Sequence, residues 1–299
     1  MLHQTNLCPP ACHPASLMNI TGFRDGLAYC ANLLLTTHAE LQKECRYIAD
    51  QQRWLLSQVA AAIHFEHQIN PAAAPLSPTS LYKALGETKI ASRNTVATFL
   101  KEIQRYGFCK PLADSDKRRR AVEVTLMAEQ LIWRYFEIHL RALDIIDGGR
   151  RQFTMEQHPE LLRYAHPIFA REIVAQEAWY RPPASIVQFT HSNSGSSILH
   201  ELASKAPFEL PVADVQIWIG RISPLPLAKR YGLSRTHIGY LLEAARLAGA
   251  IGWVRDGGQN IYWISSNTVH DYRSWQALKL ATIGKAFWEA CQLLDVACT

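Results

Sequence analysis

Two stretches of the sequence, residues 92–109 and 234–251, carry the same pattern of apolar and polar positions, 142 residues apart. Each begins with a serine followed by an arginine, continues with apolar residues at three- and four-residue spacing, and ends near a glycine. Serine favours a helix N-cap and glycine favours the position just past a helix end, so each stretch is predicted to be a capped amphipathic helix. The repeat suggests one small structural unit that occurs twice.

The segments around the first copy predict the rest of such a unit. Ser77-Pro78 places an N-cap before a proline at the first helical position, so a short helix is expected up to about Leu85. After the first copy, residues 108–112 and 119–125 are expected to pair as strands around a turn, because apolar and polar residues alternate in the second of them.

The second copy has matching neighbours. A short helix is predicted from Pro224 to Tyr231, just before the copy begins. Residues 250–255 and 260–265 flank a Gly-Gly pair at 257–258, which strongly favours a two-stranded hairpin. A short helix, a turn, a second helix and a hairpin form the layout of a winged helix-turn-helix.

Apolar residues at helical spacing also predict long helices over residues 21–69, with a break near His38, and over 127–146 and 268–296. The polar run at 191–195 is expected to be an inter-domain linker or exposed loop. The predicted fold class is mainly α with small β wings (α+β), with two winged helix-turn-helix domains linked by a helical middle region. The predicted organisation is a flexible N-terminal tail at 1–20, a winged-helix domain with long flanking helices at 21–147, a helical linker region at 148–195 and a second winged-helix domain with a C-terminal helix at 196–299.

Positive charge is concentrated around the two copies. The formal net charge is only +5, but residues 89–120 hold nine Lys or Arg against three acidic residues. Residues 229–260 hold five against two. This distribution is the electrostatic footprint expected of a surface that binds phosphates.

The composition, 48% apolar and 19% charged, is typical of an ordered globular protein. No apolar run approaches roughly 20 residues and the N-terminus lacks a secretory pattern, so the chain is expected to be soluble and cytoplasmic, without a membrane partner. Seven scattered cysteines argue against a disulfide framework. Cys8, Cys12 and His13 lie together in a Pro-rich segment, which leaves a metal site, an oxidation sensor and a mobile tail as alternatives.

A helix-turn-helix that reads DNA exposes polar residues in the first turns of its second helix while the other face packs on the domain. Arginine can bind guanine and asparagine can bind adenine through paired hydrogen bonds, and a helix N-terminus can bind a phosphate. The alternative is a pair of ordinary capped amphipathic helices. The residues expected to contact DNA are Ser92, Arg93, Asn94, Thr95 and Thr98 in the first copy and Ser234, Arg235, Thr236, His237 and Tyr240 in the second.

Lys117, Arg118, Arg119 and Arg120 follow one another at the tip and rising edge of the first predicted hairpin. Four consecutive cations can be a solvated surface or a localisation signal, but at the tip of a wing they are expected to contact phosphates or an A·T-rich minor groove. The second hairpin offers Arg255 as its cation. The two units are therefore not expected to contribute equally.

Residues 51–145, about a third of the chain, resemble a MarR-type winged-helix transcriptional regulator. In that family an Asp-x-x-Asp-x-Arg-like wing is followed by a strand ending in Leu-Thr and by a dimerising helix. The resemblance implies that the polar residues of the first copy face bases and that Arg118 enters the minor groove. It lies in Ser92-Arg93-Asn94-Thr95-Val96, Tyr106-Gly107-Phe108, Asp114-Ser115-Asp116-Lys117-Arg118-Arg119 and Val122-Glu123-Val124-Thr125.

The duplication departs from that family, whose members usually carry one head per chain and form homodimers on palindromes. The chain is expected to be a monomeric pseudo-dimer or a homodimer, with a layout closer to tandem winged-helix regulators and plasmid initiator proteins. Because Asn94-Thr95 is replaced by Thr236-His237, the expected target is a non-palindromic pair of half-sites read by helices about 34 Å apart.

Aromatic residues are concentrated in the middle of the chain. MarR-like proteins often bind small aromatic ligands between the dimerising helices and the heads. The resemblance therefore implies a small aromatic effector as a partner. The alternative is an ordinary inter-domain core. The residues concerned are Trp133, Tyr135, Phe136, Tyr164, Phe169, Trp179 and Tyr180.

Other chemistry has little support in the sequence. His64 and His67 share a helical face, but a third metal ligand is not identifiable, and surface or core histidines are the alternative. A phosphate loop, a nucleophile elbow and a zinc-protease helix are not found, so no catalysis, cofactor or metal is expected. The predicted function is sequence-specific binding of double-stranded DNA in transcriptional regulation. A replication initiator and a protein–protein scaffold are the alternatives.

Overall fold

The computed structural model describes residues 9–41, 47–48, 50–88, 90–113, 120–210, 213 and 215–297. These residues are mainly helical, with two small antiparallel sheets. This confirms the predicted class of mainly α structure with small β elements. Within these ranges, every helix is too short or too polar to cross a bilayer.

The first half of the chain contains the first predicted helix–helix–hairpin unit. Ser77, Ser92 and Thr125 each cap a helix by accepting a backbone N–H bond, as serine and threonine do at N-caps. The elements are a 3-10 helix at Pro10–Cys12, α1 at Pro14–Met18, α2 at Phe23–Glu40, α3 at Gln51–Ile69, α4 at Pro78–Ala84, α5 at Arg93–Arg105, β1 at Cys109–Pro111, β2 at Val122–Val124 and α6 at Leu126–Asp147.

The second half contains a strand that the sequence pattern does not reveal. This strand, Gln216–Arg221, pairs with the last strand of a three-stranded antiparallel sheet. The elements are α7 at Arg151–Gln157, α8 at Leu161–Ala175, α9 at Glu177–Tyr180, α10 at Val187–Thr190, α11 at Gly195–Ala203, β3 at Gln216–Arg221, α12 at Pro224–Arg230, α13 at Arg235–Leu247, β4 at Ile251–Asp256, β5 at Gln259–Ser265 and α14 at Ser266–Leu293.

The predicted second hairpin is confirmed in detail. Asp256 pairs with Gln259, so the connection is the two residues Gly257 and Gly258. Their φ angles are +51° and +80°, the left-handed values that a type I′ turn requires at both positions. Glycine adopts these angles without strain, which explains why this dipeptide specifies the turn.

One continuous hydrophobic core joins the two halves. Helix α8 packs against both α3 and α14, and α14 also contacts α1 and α6. Helix α14 carries buried residues on all sides, as expected of a helix that crosses the interior of a protein. The core runs from Ala11 to Cys291 and does not separate at residues 147 and 195, where the sequence places domain boundaries.

The N-terminal segment is packed from residue 11 onward rather than forming the predicted flexible tail. Ala11 and Leu17 are almost completely buried, and α1 and the preceding 3-10 helix lie against α14. Cys12 is 6% exposed and disulfide-bonded, which corrects the expectation of a mobile tail at this position. Cys30 and Cys109 are buried and reduced.

Residues 191–195 are not the exposed linker that their polar composition suggests. Ser194 is 1% exposed, and its hydroxyl lies 3.3 Å from Nε2 of His38. A Cβ atom on Gly195 would lie 2.0 Å from the carbonyl oxygen of Phe189, so only glycine fits where α11 begins. The segment is therefore fixed against the body of the protein.

Two buried histidines should make the fold sensitive to acid. Burial lowers the pKa of both His166 and His200 to about 3, compared with about 6.5 in an unfolded chain. Their ring nitrogens hydrogen-bond Gln58 and Tyr272 inside the core. Below pH 6.5 the unfolded state takes up two protons at these histidines that the folded state does not bind. Their contribution to the free energy of unfolding is therefore fully present above pH 6.5 and is lost as the pH falls toward 3.

Urea unfolding at pH 7.5, 6.0 and 5.0 should show the free energy of unfolding decreasing with acidification. Each histidine contributes a slope of about 1.4 kcal/mol per pH unit once the pH is well below 6.5. In a His166→Gln variant the decrease between pH 6.0 and 5.0 should be smaller by about 1 kcal/mol. The remaining decrease comes from His200 and from His38 and His139, because burial lowers the pKa of these histidines as well. Equal stability at pH 7.5 and 5.0 would contradict this prediction.

Candidate nucleic-acid interface

The two repeated units have the same local structure. Ser92 Oγ accepts a hydrogen bond from the Thr95 backbone N–H at 3.1 Å, and Ser234 Oγ accepts one from His237 N–H at 3.0 Å. After each helix a glycine takes a left-handed φ, and an antiparallel hairpin follows. The apolar stripes are buried in both units. They consist of Val96, Phe99, Leu100 and Ile103 in α5 and Ile238, Leu241, Leu242 and Ala245 in α13.

In the first unit, Ser92, Arg93, Asn94 and Thr98 are exposed on α5, as predicted. The Arg93 guanidinium lies over the Tyr82 ring of α4, 5.0 Å from its centre, so α4 orients this arginine by a cation–π contact. Thr95 is half-buried, and its hydroxyl lies 2.9 Å from that of Ser92. Because the Ser92 hydroxyl is engaged in the cap, Arg93, Asn94 and Thr98 are the side chains that remain exposed for contact with another molecule.

The exposed face of α5 borders a cleft of about 910 Å³. Asn94, Thr95 and Thr98 line it together with the start of α3 and residues of the 180–193 segment. The cleft contains compensating charges, because Arg53 lies 3.2 Å from Asp50 and 3.9 Å from Glu102. The cleft is therefore lined by both signs of charge, with Asp50 and Glu102 beside Arg53 and Arg181.

In the second unit, Ser234, Arg235, Thr236 and Tyr240 are exposed on α13, and the Tyr240 residue is 75% exposed. His237 differs from the sequence-based expectation. Its ring is half-buried, and its Nε2 atom lies 3.0 Å from the Ser192 hydroxyl. A side chain held in this way contributes to the position of α13 rather than to its free surface.

Both helices meet the same short segment of chain. His191 and Asn193 line the cleft beside α5, while Ser192 between them bonds to His237 of α13. The sequence did not identify this segment as part of the site. Its only sequence signal was a run of polar residues, which is equally typical of a loop. Residues 191–193 thus bond to the first turn of α13 and line the cleft that α5 borders.

The hairpins are only partly described by the structure. Lys117, Arg118 and Arg119 lie outside the described residues, whereas Arg120 is exposed and has a φ of +48°. Arg255 is exposed near the tip of the second hairpin. The predicted contribution of the cations at 117–119 stays a prediction.

Comparisons with protein-family models, curated proteins and solved structures find no match to this chain. A proposal about its function therefore depends on the geometry of the two repeated units and of the protein body between them.

The two histidines considered as metal ligands have structural partners. The Val124 N–H donates to Nδ1 of His64, and Nε2 of the same ring lies 2.7 Å from Glu129. His67 Nδ1 lies 2.8 Å from the Ala73 carbonyl oxygen. Among the residues that the structure describes, there is no cluster of three His, Cys, Asp or Glu side chains suited to a metal ion.

The aromatic residues of the middle region divide into two groups. Phe136 and Phe169 are completely buried in the core. Tyr135 and Trp179 line a second cavity, of about 270 Å³, inside the protein body. The core alternative is therefore confirmed for Phe136 and Phe169, and the aromatic effector stays a prediction.

Proposed function

We propose that this protein binds double-stranded DNA sequence-specifically through two winged helix-turn-helix heads, α4–β2 and α12–β5, and that it regulates transcription. The observation that supports this most is the shared geometry of the two units. In both, a short helix precedes a serine-capped helix with an exposed arginine at its first position, a buried stripe and a terminal hairpin. A single capped helix is common in proteins, but a whole repeated arrangement is less easily explained by general helix propensity.

The exposed first turns carry the chemistry that DNA recognition needs. Arg93 and Arg235 have no carboxylate within ion-pair distance among the described residues, so their guanidinium groups can bind a guanine edge or a phosphate. Asn94 can pair with adenine, and the N-terminal N–H groups of both helices favour a phosphate.

The two heads are not equivalent. The first head places Asn94 and Thr98 beside a cleft that also contains Asp50 and Glu102. The second presents Thr236 and Tyr240 on a more open face. This difference supports recognition of an asymmetric site, in which the second head contributes more than its charge alone suggests.

Selection from random DNA duplexes by the full-length chain tests the proposal. The expected product is a non-palindromic pair of half-sites, bound with an affinity that falls steeply as salt rises from 50 to 200 mM. Failure to enrich any motif at moderate salt would overturn specific binding and favour a protein–protein scaffold. A perfect palindrome would instead indicate a homodimer that uses one type of head, and iterated copies of the site at an origin would indicate a replication initiator.

A further inference from the structure

The three-stranded sheet of the second unit has one buried face and one face turned to solvent. Ile217, Ile251 and Ile264 lie opposite one another in the strand register and are all buried, so they belong to the inner face. Successive side chains of a strand point to opposite faces, and directly paired residues of an antiparallel sheet point to the same face. The other face, the outer sheet face, therefore consists of Trp218, Arg221, Gly252, Val254, Ile261 and Trp263.

The outer sheet face is accessible although most of it is apolar. Trp218 is 52% exposed and Val254 is 50% exposed, while Ile261 and Trp263 are half-buried. Trp218 and Trp263 are direct partners on neighbouring strands, so their side chains stand side by side. A Cβ atom on Gly252 would lie 2.3 Å from the Trp263 ring, so the glycine leaves room for this indole to extend over β4. The sheet thus presents two adjacent indole rings.

The charge beside the two indoles is positive. Arg221 shares the outer sheet face with Trp218, and within the described part of the chain no carboxylate lies within ion-pair distance of its guanidinium. Strands β3, β4 and β5 contain two arginines, Arg221 and Arg255, and a single acidic residue, Asp256, which lies beside the Gly-Gly turn. A partner that carries negative charge would therefore meet a cation next to the rings.

The size of the outer sheet face narrows the choice of partner. Its strands have six or seven residues. Six residues extend about 20 Å and neighbouring strands lie about 4.8 Å apart, so the face offers roughly 200–300 Å². A stable interface with another protein, or with a second copy of this chain, buries about 800 Å² on each partner. An unpaired base needs only the face of one ring, and its strand carries a negative charge at each phosphate.

We propose that the outer sheet face binds an unpaired nucleic-acid strand, with bases stacked on Trp218 and Trp263 and a phosphate bound by Arg221. Aromatic rings on an open sheet face beside cations are the combination by which proteins bind single strands with little regard to sequence. In a duplex each base pair is covered by its neighbours, so its ring faces are not free to stack on an indole.

This site goes beyond the proposed recognition of duplex DNA by the two heads and does not depend on it. Trp218 and Arg221 lie on β3, which precedes the second head, α12–β5, and the exposed first turn of α13 is not part of the sheet. Trp218 can therefore be changed without altering the residues that the duplex is proposed to contact.

Fluorescence anisotropy of the full-length chain with labelled oligothymidylate and oligouridylate of about 12 nucleotides tests the site. Both strands should bind, because the ring faces of their bases are alike, and the tighter of the two identifies the strand as DNA or RNA. A DNA strand of the same length with abasic residues keeps the phosphates and loses the stacking groups. It should bind at least about fivefold more weakly than oligothymidylate.

Trp218→Ala should weaken oligothymidylate binding at least about fivefold, the effect of losing one base–ring stack. Trp218→Phe keeps an aromatic ring and should stay within about threefold of the wild type. Phe153→Ala is the matched control, because Phe153 is 48% exposed and lies beside a cation, Arg150, but belongs to α7 and not to the sheet. Its affinity should stay within about twofold of the wild type, as should the affinity of Trp218→Ala for the selected duplex.

Equal affinity for the abasic strand and for oligothymidylate would overturn the proposal, because the contacts would then be with phosphates alone, and this comparison needs no variant. A folded Trp218→Ala protein with wild-type affinity for both strands would also overturn it. So would a dimer in sedimentation velocity that Trp218→Ala converts to a monomer, since the face would then join two copies of the chain. Single-strand binding that depends on Trp218, without any enriched duplex, would support this site and reject the proposed function. Duplex binding without single-strand binding would do the reverse.

Discussion

Substitution of Arg93 or Arg235 by alanine is expected to weaken binding of the selected duplex by roughly tenfold to a hundredfold. Each guanidinium projects from the first turn of a repeated helix, and a good contact with a base is worth about 1–3 kcal/mol of discrimination. The two arginines share no contact among the described residues, so the two losses should multiply in the double variant. Fluorescence anisotropy with a labelled duplex at fixed salt measures all three constants.

Arg105→Ala and Arg246→Ala are the matched controls, because they remove the same charge from the last turn of the same two helices. Both should change the affinity by less than about threefold, the effect of a distant screened charge. A duplex with altered half-sites then separates two kinds of contact. An arginine that binds a base loses discrimination, whereas one that binds a phosphate weakens all duplexes alike. Unchanged affinity in the double variant would show that neither helix reads DNA.

Local signals made the repeated helices predictable from the sequence. Ser92 and Ser234 cap their helices through a backbone N–H three residues ahead, and the Gly-Gly turn sets its own φ angles. Each of these effects involves residues within a few positions of one another. For that reason the bounds of α5 and α13 and the second hairpin agree with the sequence pattern.

Features that depend on distant partners were not predictable in this way. Ser194 is buried against His38, 156 positions away, although its neighbours have the composition of a loop. Strand β3 becomes a strand through pairing with β5, which follows it by more than 35 residues. Lys279 looks like an ordinary solvated lysine on an amphipathic helix, and only the packing of α14 reveals that it is buried.

The same distinction applies to the charges around the first head. A count of charges between residues 89 and 120 omits Asp50, which lies outside that window but lines the same cleft. It also ignores the contact of Arg53 with both Asp50 and Glu102. Electrostatics at a surface depends on which charges the fold brings together, and a window along the chain cannot show that.

A single methyl group added at Gly195, in the segment between the two heads, should strongly destabilise the protein. Gly195→Ala is expected to lower the free energy of unfolding by about 3 kcal/mol, because the new Cβ atom would lie 2.0 Å from the Phe189 carbonyl oxygen. The backbone at residue 189 and the backbone at residue 195 would have to move apart, because the atoms in the way belong to the main chain and not to the end of a flexible side chain. The melting temperature should fall by roughly 6–9 °C in a thermal unfolding experiment.

Gly239→Ala is the matched control, since it makes the same change in a helix where, apart from the adjacent residues and the backbone of that helix, no described atom lies within 4 Å of the new Cβ. Alanine is the better helix former, so this variant should be more stable than the wild type by up to about 1 kcal/mol. The two substitutions therefore have opposite expected signs, although their chemistry is identical. Gly195 follows Ser192, which bonds to His237 of α13, and His191 and Asn193, which line the cleft beside α5. A folded Gly195→Ala protein should therefore also bind the selected duplex more weakly. A melting temperature equal to that of Gly239→Ala would show that the close approach of residues 189 and 195 does not constrain the fold.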